Sequence, residues 1–125
     1  MLYPRPAQLT DLDESKHLSH ELRVVVDPAV APQGYRLIVD DEAAELRHAD
    51  DAGRRYGCRT VEQLRHPDGT LPAVTVDDRP LFLTRAYMLD VSRDRVPTRP
   101  TLARLVGVLA ECRYNQLQLY VEHTF

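Results

Sequence analysis

The sequence predicts an α/β chain in two parts: a small sheet covered by one helix, followed by a single strand-helix-strand unit. Three observations carry this expectation. Short β-branched runs with a period of two recur before residue 80. Two later stretches, DAGRRYGCRTVEQL and the segment from Leu102 to Cys112, repeat instead at helical spacing. After Pro80 the strands turn from alternating to almost continuously apolar, which marks a change of architecture.

Taken in order, residues 1–20 hold two early prolines and mixed charges without a sustained period, and read as a poorly ordered tail. Val24, Val25 and Val26 make a strand closed by Asp27-Pro28. After a loop at Pro32 and Gly34, Tyr35, Leu37 and Val39 alternate with Arg36 and Ile38 as a second strand. Asp40-Asp41-Glu42 is a turn. Ala44, Leu46 and His48 form a third strand, less hydrophobic and so expected near a sheet edge. Asp50 and Asp51 can accept the first N–H groups of a helix running to Leu64. Gly53 and Gly57 lie four apart on that helix, on nearly the same face as Tyr56, which points to a close approach to the sheet. A turn at His66-Pro67-Asp68-Gly69 and a short strand from Ala73 to Val76 complete the part spanning 21–80. Asp77-Asp78, like the other acidic pairs, is assigned to turns or caps. In the part spanning 81–125, Tyr87 to Val91 is a strand, Pro100 sits in the first turn of a helix with Leu102, Leu105, Val106, Leu109 and Cys112 on one stripe, and Asn115 to Val121 is a second strand. Strand, helix and strand joined by short loops form a parallel βαβ unit, and one such unit leaves its strands wanting neighbours.

Composition narrows the function. Of the 125 residues, 43% are hydrophobic and 28% charged, the profile of a globular protein and neither a disordered nor a membrane-spanning one. No apolar run reaches the roughly 18 residues a spanning helix needs. The net charge is −3 and the cations are dispersed, which argues against nucleic acid as a partner. No basic segment followed by an apolar one opens the chain, so no signal peptide is visible and the cytoplasm is the default expectation. Cys58 and Cys112 lack the number and spacing of a disulfide framework or zinc site and read as small buried apolar residues. His17 and His20 stand three apart without other ligand types, so neither a metal nor a cofactor is expected. His48 and His66 read as solvated strand and turn residues.

RAYMLDVSRDRVPT at 85–98, with LARLVGVLAECRYNQLQLY at 102–120, resembles the opening of the catalytic barrel of glycoside hydrolase family 20, the β-N-acetylhexosaminidases. GYRLIVDD, ADDAGRRYGCRTVEQL and LPAVTVDDRP, between residues 34 and 80, resemble in the same order the non-catalytic α/β domain that precedes that barrel. The resemblance implies that residues 81–125 are the first βαβ of a truncated (β/α)8 barrel, its remaining strands being the missing partner. It also implies a terminal N-acetylhexosamine of a glycan as substrate, and hydrolysis in which the 2-acetamido group replaces an enzyme nucleophile. The acid and acetamido-orienting Asp of that mechanism fall at the end of the fourth barrel strand, so none of these 125 residues takes a catalytic role.

Three residues inherit a substrate-binding role from the resemblance. Arg85 matches the family's sugar-hydroxyl ligand, with Ala86 where glycine is usual. Its competing reading is an ion pair at the domain junction with Asp77 or Asp78. Glu122 and His123 fall where many members carry two acids; His123 departs from the pattern, since histidine is a weaker acceptor than a carboxylate. Asp90, Ser92 and Arg93 are expected to hydrogen-bond along the barrel rim. The alternative from another class is a stand-alone, non-catalytic carbohydrate- or protein-binding module. The break at Phe125, on the last residues of a strand, favours a fragment over such a module.

Overall fold

The computed structural model of the chain describes residues 2–92 and 96–122. It divides into two units, Met1–Leu83 and Thr84–Phe125. Unit 1 holds β1 (Gln8–Leu18), β2 (Leu22–Val26), β3 (Tyr35–Val39), β4 (Ala44–His48), α1 (Asp51–Leu64) and β5 (Leu71–Asp78). The five strands form one sheet in the order β1-β5-β3-β4-β2, antiparallel except for the parallel β2–β4 pair.

Alternation decides which face is dry. Tyr35, Leu37 and Val39 of β3, Ala44 and Leu46 of β4, and Val74 and Val76 of β5 are buried with Val61 of α1. The Tyr35 hydroxyl donates to Thr60 Oγ1 at 2.6 Å, and the threonine hydroxyl in turn donates to the carbonyl of Tyr56 in the preceding helical turn. That chain satisfies the deepest polar atoms of the core. The opposite face, away from α1, is charged. There Arg47 bridges Glu45 at 2.5 Å and Asp27 at 3.4 Å, and Arg36 lies 3.8 Å from Asp77.

α1 sits close because two of its residues lack side chains. A Cβ on Gly53 would overlap the carbonyl oxygen of Gly34, and one on Gly57 would overlap Leu46 Cδ1 and come within 3.1 Å of Tyr35 Cδ2. The helix begins at Asp50, whose Oδ1 accepts from the Gly53 N–H at 2.8 Å while Oδ2 accepts from the Gln33 N–H at 2.8 Å. One carboxylate thus caps the helix and ties its start to the loop before β3.

In unit 1, five expectations need correction. Residues 8–18, read as tail, form the edge strand β1. They lack a period because the ladder with β5 shifts register between Thr10 and Asp13, where Asp11 has φ 56°, so Leu9 and Leu12 do not alternate with the polar residues. β4 lies inside the sheet, between β3 and β2; its polar residues face away from α1. Asp77 and Asp78 belong to β5, and the buried Asp78 accepts from the Ala7 N–H at 3.0 Å. His48 is buried, on the Leu46 face, with Nδ1 3.1 Å from the Asp50 carbonyl. His66 is half-buried and stacks on His17 with ring centroids 4.0 Å apart.

Unit 2 contains β6 (Ala86–Asp90), α2 (Arg99–Glu111) and β7 (Gln116–Tyr120), with β6 and β7 parallel from Ala86↔Gln116 to Asp90↔Tyr120. Thr98 caps α2 and Pro100 occupies its first turn. Leu109 is buried, Leu102, Leu105 and Cys112 are half-buried, and Val106, expected on the same stripe, is 50% exposed. Neither cysteine forms a disulfide; Cys58 packs half-buried against the core of unit 1.

The three helical glycines separate in their response to a methyl group. Gly53→Ala meets backbone and is expected to destabilise unit 1 by about 2–4 kcal/mol, and Gly57→Ala, which displaces a leucine side chain, by about 1–2 kcal/mol. Gly107→Ala in α2 has open space around its Cβ and should stabilise by about 0.5–1 kcal/mol. Denaturant midpoints of the three variants check the order.

The hydrogen bond from the Gly53 N–H holds the Asp50 carboxyl below its ordinary value, aided by Gln33. Its stabilising share is therefore present above about pH 4 and lost as pH falls through the folded value. Asp50→Ala is expected to cost about 1 kcal/mol at pH 7 and progressively less under acid, measured as melting temperature against pH.

Candidate functional site

The candidate site is assembled on unit 2, where a parallel strand pair carries different chemistry at its two ends. At the entrance, the chain leaves α2 through Cys112 and turns at Arg113, whose φ is 62°. The Arg113 N–H donates to the carbonyl of Ala110 at 3.0 Å and the Tyr114 N–H to that of Leu109 at 2.8 Å. This pair of bonds is the Schellman ending, with arginine in the left-handed position that glycine usually takes. It reverses the chain so that Asn115 arrives beside Arg85, one residue before the ladder begins.

Arg85 is held there by both backbone and side chain. Its N–H donates to Asn115 Oδ1 at 2.9 Å, and its carbonyl accepts from the N–H groups of Asn115 and Gln116 at 3.0 and 3.3 Å. Its Nε–H donates to the carbonyl of Arg113 at 2.7 Å. Within unit 1, Asp77 lies near Arg36 and Asp78 accepts from the Ala7 N–H.

At the exit, the Val91 N–H donates to the Tyr120 carbonyl at 3.0 Å, extending the pair by one step. Asp90 Oδ1 accepts from both the N–H and the hydroxyl of Ser92, at 2.8 and 2.6 Å, which turns the chain sharply at the strand end. Glu122 lies exposed two residues past the end of β7. The backbone therefore sets Arg85 and Glu122 at opposite ends of the strand pair, while Asp90 and Ser92 share the end of Glu122. His123 and Arg93 lie outside the described residues.

The face of the pair that carries Met88, Asp90, Gln116, Gln118 and Tyr120 is exposed, a mixture of amide, carboxylate, phenol and thioether groups able to donate to and accept from hydroxyls. In the sequence Asn115 reads only as the first residue of a strand, and neither it nor the Arg113 carbonyl is assigned a role at the site. An asparagine directly before an alternating strand was the available signal for the first; the second had none, because an arginine at positive φ looks like any other.

For metals, His17 Nδ1 lies 2.9 Å from Asp68 and His20 Nε2 lies 3.0 Å from the Asp40 carbonyl. Among the described residues no group of three histidine, cysteine or acidic side chains is arranged to hold a metal ion. Likewise, among the described residues no helix is long and apolar enough to cross a membrane.

Residues 28–79 match the model for glycosyl hydrolase family 20, domain 2. The chain is similar to a beta-hexosaminidase of Akkermansia muciniphila, 31% identical over 99 residues that cover 75% of this chain and 20% of the relative. It is also similar to a beta-N-acetylhexosaminidase of Cellulomonas fimi, 31% identical over 104 residues covering 80% of this chain and 21% of the relative. A solved structure described as a glycoside hydrolase family 20 beta-N-acetylglucosaminidase superposes with a TM-score of 0.71 at 25% identity, covering 94% of this chain and 28% of that one. The chain thus spans about a fifth of the length of these two curated relatives.

Proposed function

We propose that the chain, whose residues 28–79 match the model for glycosyl hydrolase family 20, domain 2, serves a β-N-acetylhexosaminidase, removing terminal N-acetylhexosamine from glycans. In this reading residues 21–80 are the non-catalytic α/β domain and residues 81–125 the first βαβ of the catalytic barrel. The observation that carries it is the reach of the likeness. An alignment covering 75% of the chain, even one begun at residue 1, runs past the end of β6, so the similarity includes unit 2 as well as the matched domain. The parallel β6–β7 pair is also the repeating element of such a barrel.

Within that enzyme the chemistry is substrate-assisted and retaining. An acid on a later strand protonates the leaving oxygen while the sugar's own acetamido oxygen attacks the anomeric carbon. Arg85, Glu122 and His123 contribute by holding the sugar. A guanidinium presents paired donors that suit adjacent hydroxyls; a carboxylate at Glu122 accepts from a hydroxyl; and His123 either donates or accepts according to its protonation.

The test is hydrolysis of an aryl N-acetylglucosaminide. The 125 residues alone are expected to be inactive, since the acid of this mechanism is not among them and general acid catalysis contributes about 10²–10⁴-fold; turnover by them above buffer would overturn the assignment. In the full-length gene product, Arg85→Lys should lower kcat/KM by about 30- to 700-fold, equivalent to roughly 2–4 kcal/mol. Unchanged kinetics with a lowered melting temperature would remove Arg85 from the sugar site and return it to a structural role.

A further inference from the structure

We propose that Asn115 is a positioning residue that fixes the orientation of Arg85 for the sugar, an inference that rests on the role given to Arg85 above. Two tethers leave the segment 113–115 and close on one arginine. The first is the Asn115 side chain. β6 and β7 enter register only at Ala86↔Gln116, so the Arg85 N–H stands one residue before the ladder. Asn115 Oδ1 accepts it at 2.9 Å, and the Asn115 N–H answers with a bond to the Arg85 carbonyl at 3.0 Å. This reciprocal pair pins the Arg85 backbone on both sides of its Cα.

The second tether acts on the side chain. Arg85 Nε–H donates to the Arg113 carbonyl at 2.7 Å. Nε is the root of the guanidinium plane, so a bond there sets the rotation of the plane, and the two η-amino groups lie beyond Cζ from it. Those amino groups carry the paired geometry that distinguishes arginine from lysine. A free arginine side chain loses rotamer freedom when it binds; restricting it before the sugar arrives removes part of that cost from binding. The Arg113 carbonyl can reach Nε only while the segment 113–115 is held against Arg85. Asn115 is the residue of that segment that makes a reciprocal pair with it, so loss of its amide oxygen should loosen both tethers.

Two measurements separate this role from that of a simple strand clasp. In the 125-residue chain, the Arg85 Nε–H should exchange slowly with solvent by nitrogen-proton NMR. Asn115→Ala should speed that exchange about tenfold or more, and Asn115→Asp, which keeps the acceptor, should leave it near the parent rate. An Arg85 Nε–H that exchanges at the free rate in the parent, or that ignores Asn115→Ala, overturns the proposal whatever the enzyme does. In the full-length gene product acting on the aryl N-acetylglucosaminide, Asn115→Ala should raise KM about tenfold with a smaller change in kcat, and Asn115→Asp should restore it. In an Arg85→Ala background the same substitution should cost nothing further. An equal loss with and without Arg85 shows that Asn115 acts elsewhere and overturns the proposal. If Arg85→Ala alone leaves kinetics unchanged, the sugar role of Arg85 fails instead, and slow Nε–H exchange then marks a clasp of the strands only. Should Asn115→Ala unfold below the assay temperature, Asn115→Ser, whose hydroxyl falls short of the Arg85 N–H, takes its place in both measurements.

Discussion

The close contact of the glycine face of α1 with the loop before β3 and with the side chains of β3 and β4 governs unit 1. Gly53 lies against the backbone of Gly34, and Gly57 against the side chains of Leu46 and Tyr35. At that separation a helix can cover only the strands directly beneath it, which are β3, β4 and part of β5. This decides the buried set: Tyr35, Leu37, Ala44, Leu46, Val74 and Val76 are the residues that this narrow roof can shield. β1 and β2 extend beyond it as edges, and Val24 and Val26 of β2 are 39% and 68% exposed. Asp50 serves the same contact from its end, since one carboxylate joins the first turn of the helix to the loop that carries Gly34.

Unit 2 solves a different problem with less material. A parallel pair cannot be closed by a hairpin, so the chain must travel back along α2 and stop at the right place to start β7. The stop falls on Arg113, in a conformation that costs a side-chain-bearing residue about 1 kcal/mol. The Asn115 contact and the start of the ladder, both within three residues of that reversal, depend on it. The consequence is that the strand entrance is tightly specified, while the exit is shaped by a short turn between Asp90 and Ser92.

Much of this order could be read from residues, because the signals were periodic. Tyr35, Leu37 and Val39 alternate and are buried in alternation; Gly53 and Gly57, four apart, foretold a close helix; Pro100 marked the first turn of α2. The parallel pairing of β6 and β7 could be inferred from the strand-helix-strand order alone. The elements that escaped had no period to show. β1 is held to β5 by backbone bonds, and its bulge at Asp11 scrambles the leucines, so composition described it as a tail. His48 looked polar in sequence, yet it occupies the dry side of β4 because parity placed it there. At the site, Arg85 and Glu122 were legible as residue types, and the strand-helix-strand order already set them at opposite ends of a parallel pair. The tie between Arg85 Nε and a carbonyl in the next connection belongs to tertiary geometry, which spacing along the chain does not record.

The first strand also has a history during synthesis. Gln8 pairs with Asp77 and Leu18 with Leu71, so β1 leaves the ribosome more than fifty residues before its partner exists. At about 5–20 residues per second, the wait lasts on the order of three to ten seconds or more. A flat apolar strand exposed for that time would seek any other edge in the cell. β1 instead carries Asp11, Asp13, Glu14 and Lys16 and an irregular backbone, and is poorly shaped to pair with anything but the strand whose register accommodates its bulge. The same features that made it look unstructured on paper suit it to waiting, and they make the closing of the sheet a late event in the life of each molecule.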